Sequence, residues 1–180
     1  MDKTAMDRTT PPAPEVAPFA ETLRILLRPF RFVHADQYWK IETRSWTTPS
    51  EIRTYHLLFE NEGVQLDVSI FDKPSRYFVD LEFKNKNAPE THNTFSLLHF
   101  CRVTEFKDFD DSPGSQRGAQ YLERYADYLK RLFEYPVAKE ILKGDYWFPF
   151  FFDFRDMASD PTLLPKKKEQ FLESRSGKSE

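Results

Sequence analysis

The sequence contains one cysteine, little net charge and no long apolar run, and each shortage excludes a class of protein. Cys101 cannot form an internal disulfide, and neither a CxxC pair nor histidines at ligand spacing are present for a structural zinc. The net charge of -3 is close to neutral and slightly acidic, which argues against the basic field that nonspecific nucleic-acid binding requires. No segment has the apolar length of a membrane helix, and residues 1–10 lack the apolar region of a secretory signal. We therefore expect a cytoplasmic protein with a buried, inert thiol.

Aromatic residues, by contrast, are abundant. The chain of 180 residues contains 18 phenylalanines, 8 tyrosines and 3 tryptophans. Because each ring buries a large area, a chain of this length can form one substantial core. We predict a single domain over residues 19–164. A disordered segment rich in proline is expected over residues 1–18, and a charged flexible tail over residues 165–180.

The clearest pattern is an alternation of apolar and polar residues on both sides of a turn. Apolar side chains occupy every second position over residues 64–70 and again over residues 77–83, with turn-forming residues at 72–75 between them. A period of two is the repeat of a β-strand with one buried face. The pattern therefore predicts an antiparallel hairpin over residues 63–84.

Two further strands are predicted upstream, over residues 38–46 and 52–60, where β-branched and aromatic residues are frequent. Strands that follow one another closely along the chain usually pair as neighbours. With the hairpin they form a mainly antiparallel sheet of about four strands. The fold class that we predict is α+β, with N-terminal and C-terminal helices packed on one face of this sheet.

The predicted helices come from apolar residues at a spacing of three and four. They cover residues 19–28 and 115–135, followed by one or two turns over residues 137–143 that end at Gly144. The segment 94–106 fits both a helix and a strand, and we favour the helix.

The polar face of the hairpin carries three carboxylates and a lysine, namely Asp67, Asp80, Glu82 and Lys84. Asp67 followed by Glu82-Phe83-Lys84 resembles the motif of nucleases of the PD-(D/E)xK type. That resemblance implies Mg²⁺ or Mn²⁺ bound by Asp67 and Glu82, with Lys84 stabilising the developing charge and Asp80 nearby. The alternative is a solvated sheet face, which the same alternation produces without any catalytic role.

Two other segments are candidates for binding a partner. Acidic residues in the loop over 108–114 suit a basic protein by charge complementarity. The aromatic segment 146–154 would supply interface rings, or alternatively would fold back as part of the core. The predicted partner-binding residues are Asp108, Asp110, Asp111, Trp147, Phe148 and Phe150.

The sequence YLERYADYLK over residues 121–130, followed by EILKGD over residues 140–145, resembles a helical segment of small bacterial proteins. Some of these proteins are similar to immunity proteins of polymorphic toxin systems. The resemblance implies a non-enzymatic protein that binds a partner, typically a cognate toxin. Protein binding without catalysis is therefore the expected function. A metal-dependent nuclease remains one alternative, and a small-ligand-binding domain with a pocket between sheet and helix remains the other.

Overall fold

Five antiparallel strands form one sheet in which every strand lies beside its neighbour in the chain. The computed structural model describes residues 13–44, 50–73, 77–89, 93–110, 118–152 and 162–176. The strands are β1 (Val33–Arg44), β2 (Ser50–Glu60), β3 (Val64–Asp72), β4 (Tyr77–Asn85) and β5 (Thr94–Ser96). The predicted antiparallel α+β fold is confirmed, with five strands in place of about four because the short strand β5 extends the sheet beyond β4.

The helices of the described part of the chain lie before and after these strands. They are α1 (Val16–Leu27), α2 (Leu97–Thr104), α3 (Ala119–Glu134), α4 (Pro136–Lys143) and α5 (Leu163–Ser176), with a 3₁₀ turn at Arg28–Phe30. Gly144 ends α4 in the left-handed conformation that glycine favours, and its N–H donates to the carbonyl of Ile141 at 2.9 Å. Among the described residues, no helix combines the length and the apolar character that crossing a bilayer requires.

The core lies between one face of the sheet and the helices. On β3 and β4 the alternating apolar residues point to this face, and the register places Leu66 opposite Phe83 and Val68 opposite Leu81. The apolar stripe of α3 belongs to the same continuous core and includes Leu129, which is fully buried. The alternation seen in the sequence therefore marks the buried side of the hairpin correctly, because a period of two sends every second side chain inward.

The ambiguous segment 94–106 contains a strand and a helix in succession. Thr94–Ser96 pairs with β4, and Leu97 then begins α2. Ser96 caps this helix: its hydroxyl accepts the N–H of His99, and the ring of His99 accepts the N–H of Ser96 at 3.3 Å. The favoured helix is therefore present over Leu97–Thr104, whereas residues 94–96 form a short strand and Ser96 marks the boundary between the two.

Both ends of the described chain differ from the expectation of disorder. Helix α1 begins at Val16, within the segment predicted to be disordered, because Val16 itself is buried in the core. Residues 163–176 form α5 where a flexible tail was expected. Contacts with the core explain this helix, since Phe171 is buried, Leu164 packs against the core and Arg175 forms a bidentate ion pair with Glu140. The charged composition of the tail concealed these contacts.

Replacing phenylalanine by alanine should lower the free energy of unfolding much more on the buried face of β4 than on its exposed face. Phe83 is 0% exposed and stacks on Phe95 at 4.9 Å, so Phe83→Ala should lower the free energy of unfolding by about 3–5 kcal/mol. Phe78 lies on the other face and is 42% exposed, so Phe78→Ala should cost less than about 1 kcal/mol. Urea unfolding followed by circular dichroism measures both, and equal losses would contradict this assignment of the buried face.

Candidate functional site

The outer face of the hairpin gathers the polar residues that the sequence singled out. Asp67 lies directly opposite Glu82, and Ser69 lies directly opposite Asp80. Residues opposite one another in an antiparallel pair have Cβ atoms about 4.5–5.5 Å apart. Lys84 follows two positions after Glu82 on the same face and pairs with Gln65. The predicted clustering of Asp67, Asp80, Glu82 and Lys84 on one face is therefore confirmed.

A histidine from the neighbouring strand lies within hydrogen-bond distance of the Asp67 carboxylate. His56 lies on β2 opposite Ser69, and its Nδ1 is 3.1 Å from Oδ1 of Asp67 and 3.0 Å from the Ser69 hydroxyl. The His56 ring stacks on Tyr38 at 4.7 Å between centroids. This contact could not be predicted from the sequence, because it follows from the register between β2 and β3. The run Leu57-Leu58-Phe59 blurs the alternation that would have revealed that register.

This group of serine, histidine and aspartate does not form a catalytic relay. In a serine hydrolase triad the carboxylate and the hydroxyl engage opposite nitrogens of the ring. Here Asp67 and Ser69 both lie at Nδ1 of His56, and the buried Nε2 has no hydrogen-bond partner among the described residues. The hydroxyl is therefore not placed to transfer its proton to the ring nitrogen that remains free. The geometry is that of a polar cluster that orients side chains across β2 and β3.

Two carboxylates of this face are held in an unfavourable environment. Burial raises the pKa of Asp80, and the negative charge of Asp67 adds to this effect. Burial also raises the pKa of Glu82, as do the charges of Asp67 and Asp80, while Lys84 opposes the shift. Oδ1 of Asp80 accepts the N–H of Leu81 at 2.9 Å, and this bond partly opposes the rise in its pKa. The net shift is upward, so folding disfavours the charged form of Asp80 relative to the neutral form.

A pocket opens beside Asp80 at the edge of β4. Strand β5 pairs only with residues 82–84 of β4, so the remaining edge faces α2, α3 and the loop that follows α2. The cavity has a volume of about 270 Å³. The lining residues that matter here are Phe78, Asp80, Asp108, Phe109, Tyr125 and Tyr128. The hairpin carboxylate and the acidic loop, which are separate features of the sequence, therefore contribute to one pocket.

Aromatic rings form the wall of this pocket. Phe109 contacts Tyr121, Tyr125 and Tyr128 edge to face, with ring centroids 5.6, 4.8 and 5.5 Å apart. Burial is the largest cause of the raised pKa of Tyr125, and the neighbouring tyrosines and Asp80 raise it further. Its hydroxyl therefore stays neutral. On the outside, the guanidinium of Arg124 lies 5.3 Å from the Phe109 ring and donates to the carbonyl of Asp110 at 2.7 Å. The rings are therefore fixed by packing on several sides.

Cys101 lies behind the tyrosines and is as buried as the sequence predicts. Its sulfur is 3.3 Å from the hydroxyl of Tyr128. Burial raises the pKa of the thiol to about 12; the hydrogen bond with Tyr128 partly opposes this shift, and the nearby carboxylate of Asp108 adds to it. Because the thiolate is the reactive form, this environment supports the expectation that the cysteine is inert.

The predicted partner-binding residues fall into three groups. Phe148 and Phe150 are 3% and 8% exposed, so their rings cannot form an interface. This corrects their proposed role: Phe148 packs against Phe95 at 5.0 Å and belongs to the core. Trp147 is half-buried against the same ring, whereas Asp108 and Asp110 are exposed. Asp111 lies outside the described residues.

Comparison with known proteins does not add a functional assignment. A scan against protein-family models, a search of curated proteins and a search of solved structures each found no match. For metal binding, the described residues include no group of three or more His, Cys, Asp or Glu side chains placed to hold an ion.

Removing the charge of Asp80 should stabilise the protein. A carboxyl group whose pKa is raised on folding contributes most stability below its unfolded pKa, and that stability is lost as the pH rises through its folded pKa. Asp80→Asn should therefore raise the free energy of unfolding at pH 7 by roughly 1 kcal/mol, or about 2–4 °C in Tm. It should also flatten the decline in stability above about pH 4.

Thermal unfolding between pH 4 and pH 8 measures this effect. Asp127→Asn on the exposed side of α3 is the matched control, and it should change the free energy of unfolding by less than about 0.5 kcal/mol. A loss of stability at pH 7 in Asp80→Asn would contradict the prediction, because it would show that the carboxylate makes a net favourable interaction in the folded protein.

Proposed function

We propose that this protein is a non-enzymatic protein-binding module that recognises a basic partner, in the way that an immunity protein recognises its cognate toxin. One observation carries the proposal. Asp80 of the hairpin and Asp108 of the acidic loop line the same aromatic pocket, and Phe78 stands exposed beside it. Charge complementarity of this kind favours association with a basic surface and discriminates against acidic ones.

The energetic state of Asp80 supports a binding role. A carboxylate that is buried near other carboxylates lowers the stability of the free protein. Sites that lower stability in this way are typical of functional surfaces, where the missing interaction is supplied by a ligand. A cation delivered by a partner would offset both the burial of Asp80 and its repulsion from Asp67.

The exposed side of the hairpin offers apolar contact next to these charges. Phe78 lies 5.7 Å from Phe71 across the two strands, and the ammonium of Lys73 lies 5.5 Å from the Phe78 ring. Aromatic side chains supply much of the binding energy in protein interfaces when charged groups surround them. The proposed interface is therefore centred on Phe78 and the pocket. Its apolar part is the pair Phe71 and Phe78, and not Phe148 and Phe150, which lie in the core.

Two features favour binding over catalysis. The serine and aspartate near His56 engage the same ring nitrogen, so the arrangement lacks a proton relay. The thiol of Cys101 has a pKa of about 12 and lies in the core, so it is a poor nucleophile at neutral pH. Neither of these groups is arranged for covalent chemistry.

Site-specific crosslinking should place a partner at the hairpin. p-Benzoylphenylalanine in place of Phe78 should crosslink one basic protein from the source cell on irradiation. The same probe in place of Leu172, which is 62% exposed on α5, should not capture that protein. Mass spectrometry identifies the crosslinked protein, and Asp108→Lys should reduce the yield several-fold because it reverses a charge of the interface.

The substitution Asp127→Lys, on the exposed side of α3, is the control for a general effect of charge. Equal crosslinking from positions 78 and 172, or an acidic partner, would overturn the proposed interface. Loss of crosslinking with Asp127→Lys as well as with Asp108→Lys would show that net charge, and not this pocket, determines the yield.

A metal-dependent nuclease is the second candidate, and the cross-strand pair of Asp67 and Glu82 favours it. Under the binding proposal, titration of Mn²⁺ to millimolar concentration should give no saturable heat in calorimetry, because the Asp67 carboxylate is already engaged by His56. Saturable Mn²⁺ binding that Glu82→Ala abolishes, together with cleavage of DNA or RNA, would replace the binding proposal with the nuclease.

A further inference from the structure

We propose that the pocket at the edge of β4 receives one arginine side chain of the partner, with Asp80 and Asp108 binding its guanidinium group. This inference rests on the proposed function and names the chemistry by which the site would recognise its partner. It is carried by the composition of the cavity, its size and its position in the sheet.

The charges of the pocket select a cation. Asp80 and Asp108 reach the cavity from different elements, β4 and the loop after α2. Among the residues that the structure describes, no arginine or lysine lines the cavity itself. The nearest cations, Lys73, Arg124 and Arg131, lie 5.5, 5.3 and 6.0 Å from the rings of Phe78, Phe109 and Tyr128. Two carboxylates in one small cavity can share the several N–H donors of a guanidinium group, which point in fixed directions. The N–H donors of an ammonium group are less fixed in direction.

The aromatic wall suits the same group. A guanidinium group is planar and weakly hydrated, and it stacks on aromatic rings. The chain already contains one such contact at the rim, since Arg124 lies over Phe109 and donates to a backbone carbonyl of the same loop. A ring that accepts an arginine of its own chain on one side shows that this local environment tolerates the group.

The size and position of the cavity favour a single side chain over a free metabolite. Its volume of about 270 Å³ lies just below the range of about 300–1,000 Å³ that is typical of small-molecule sites. The pocket also adjoins the exposed hairpin face that carries Phe78 and Glu82, so the main chain of a partner could rest beside it. This arrangement distinguishes it from the enclosed site of a small-ligand-binding domain.

Short peptides test the inference on the full chain. The pentapeptide Gly-Gly-Arg-Gly-Gly is compared with versions that carry lysine or citrulline in place of arginine, and binding is followed by NMR of labelled tyrosines. With all three peptides acetylated and amidated at their ends, we expect the arginine peptide to shift the signals of Tyr125 and Tyr128 with a Kd of roughly 1 mM, the lysine peptide to bind several-fold more weakly, and the uncharged citrulline peptide not to bind.

Substitutions in the pocket complete the test. The double variant Asp80→Asn with Asp108→Asn should weaken binding of the arginine peptide at least about tenfold. Asp127→Asn, an exposed carboxylate on α3 that is not among the residues lining the cavity, should leave it unchanged. Equal binding of the citrulline peptide, preference for lysine, or full affinity in the double variant would each overturn the inference.

The outcome is separable from that of the proposed function. Crosslinking of a basic partner at position 78 without any binding of the arginine peptide would support the proposed interface and contradict the proposed arginine site. Peptide binding without a crosslinked partner would leave a cation pocket and remove the protein-binding function.

Discussion

The pairing of β3 with β4 is the constraint on which the rest of the molecule depends. Its register sends one set of alternating side chains into the core and the other set to the outer face. The same hydrogen-bonded ladder therefore decides that Phe83 is buried and that Asp80 stands on the opposite side. A shift by one residue would exchange the two faces completely, so core packing and the polar site cannot be specified independently.

The shortness of β5 has the largest consequence for the candidate site. A longer fifth strand would cover the edge of β4 and close the cavity. Because the chain turns into α2 at the Ser96 cap, the edge near Asp80 instead meets aromatic side chains from α3 and from the loop that carries Phe109. An edge that lacks a full strand is a common location for a binding surface, since it presents both backbone and side-chain groups.

The aromatic composition serves two separate purposes. Rings from the segment after α4, such as Phe148, fill the core between β5, α2 and α5. The tyrosines of α3 instead border the cavity, with Phe109 packed across them. Burial raises the pKa of Tyr125 and of Tyr128, so among the described residues that line the cavity Asp80 and Asp108 carry the charge. The free energy gained by packing the core thus offsets the cost of burying Asp80 at the pocket.

The amino-acid sequence by itself determined the hairpin, helix α3 and the glycine that ends α4. These features depend on local periodicity and on backbone preferences that each segment carries with it. Phe148 and Phe150 look the same in a partner surface as in a core, and Phe171 is inconspicuous within a charged tail. For these residues the local pattern is the same whichever side of the molecule they face.

Only the tertiary structure decided which distant residues come together. His56 contacts Asp67 because of the register between β2 and β3, and Asp80 shares a cavity with Asp108 because β5 is short. Such contacts are set by strand register and by the packing of helices against an edge, and neither is encoded in the period of one segment. The hairpin thus determined its own two faces, but the packing around it decided that the polar face leads into a pocket.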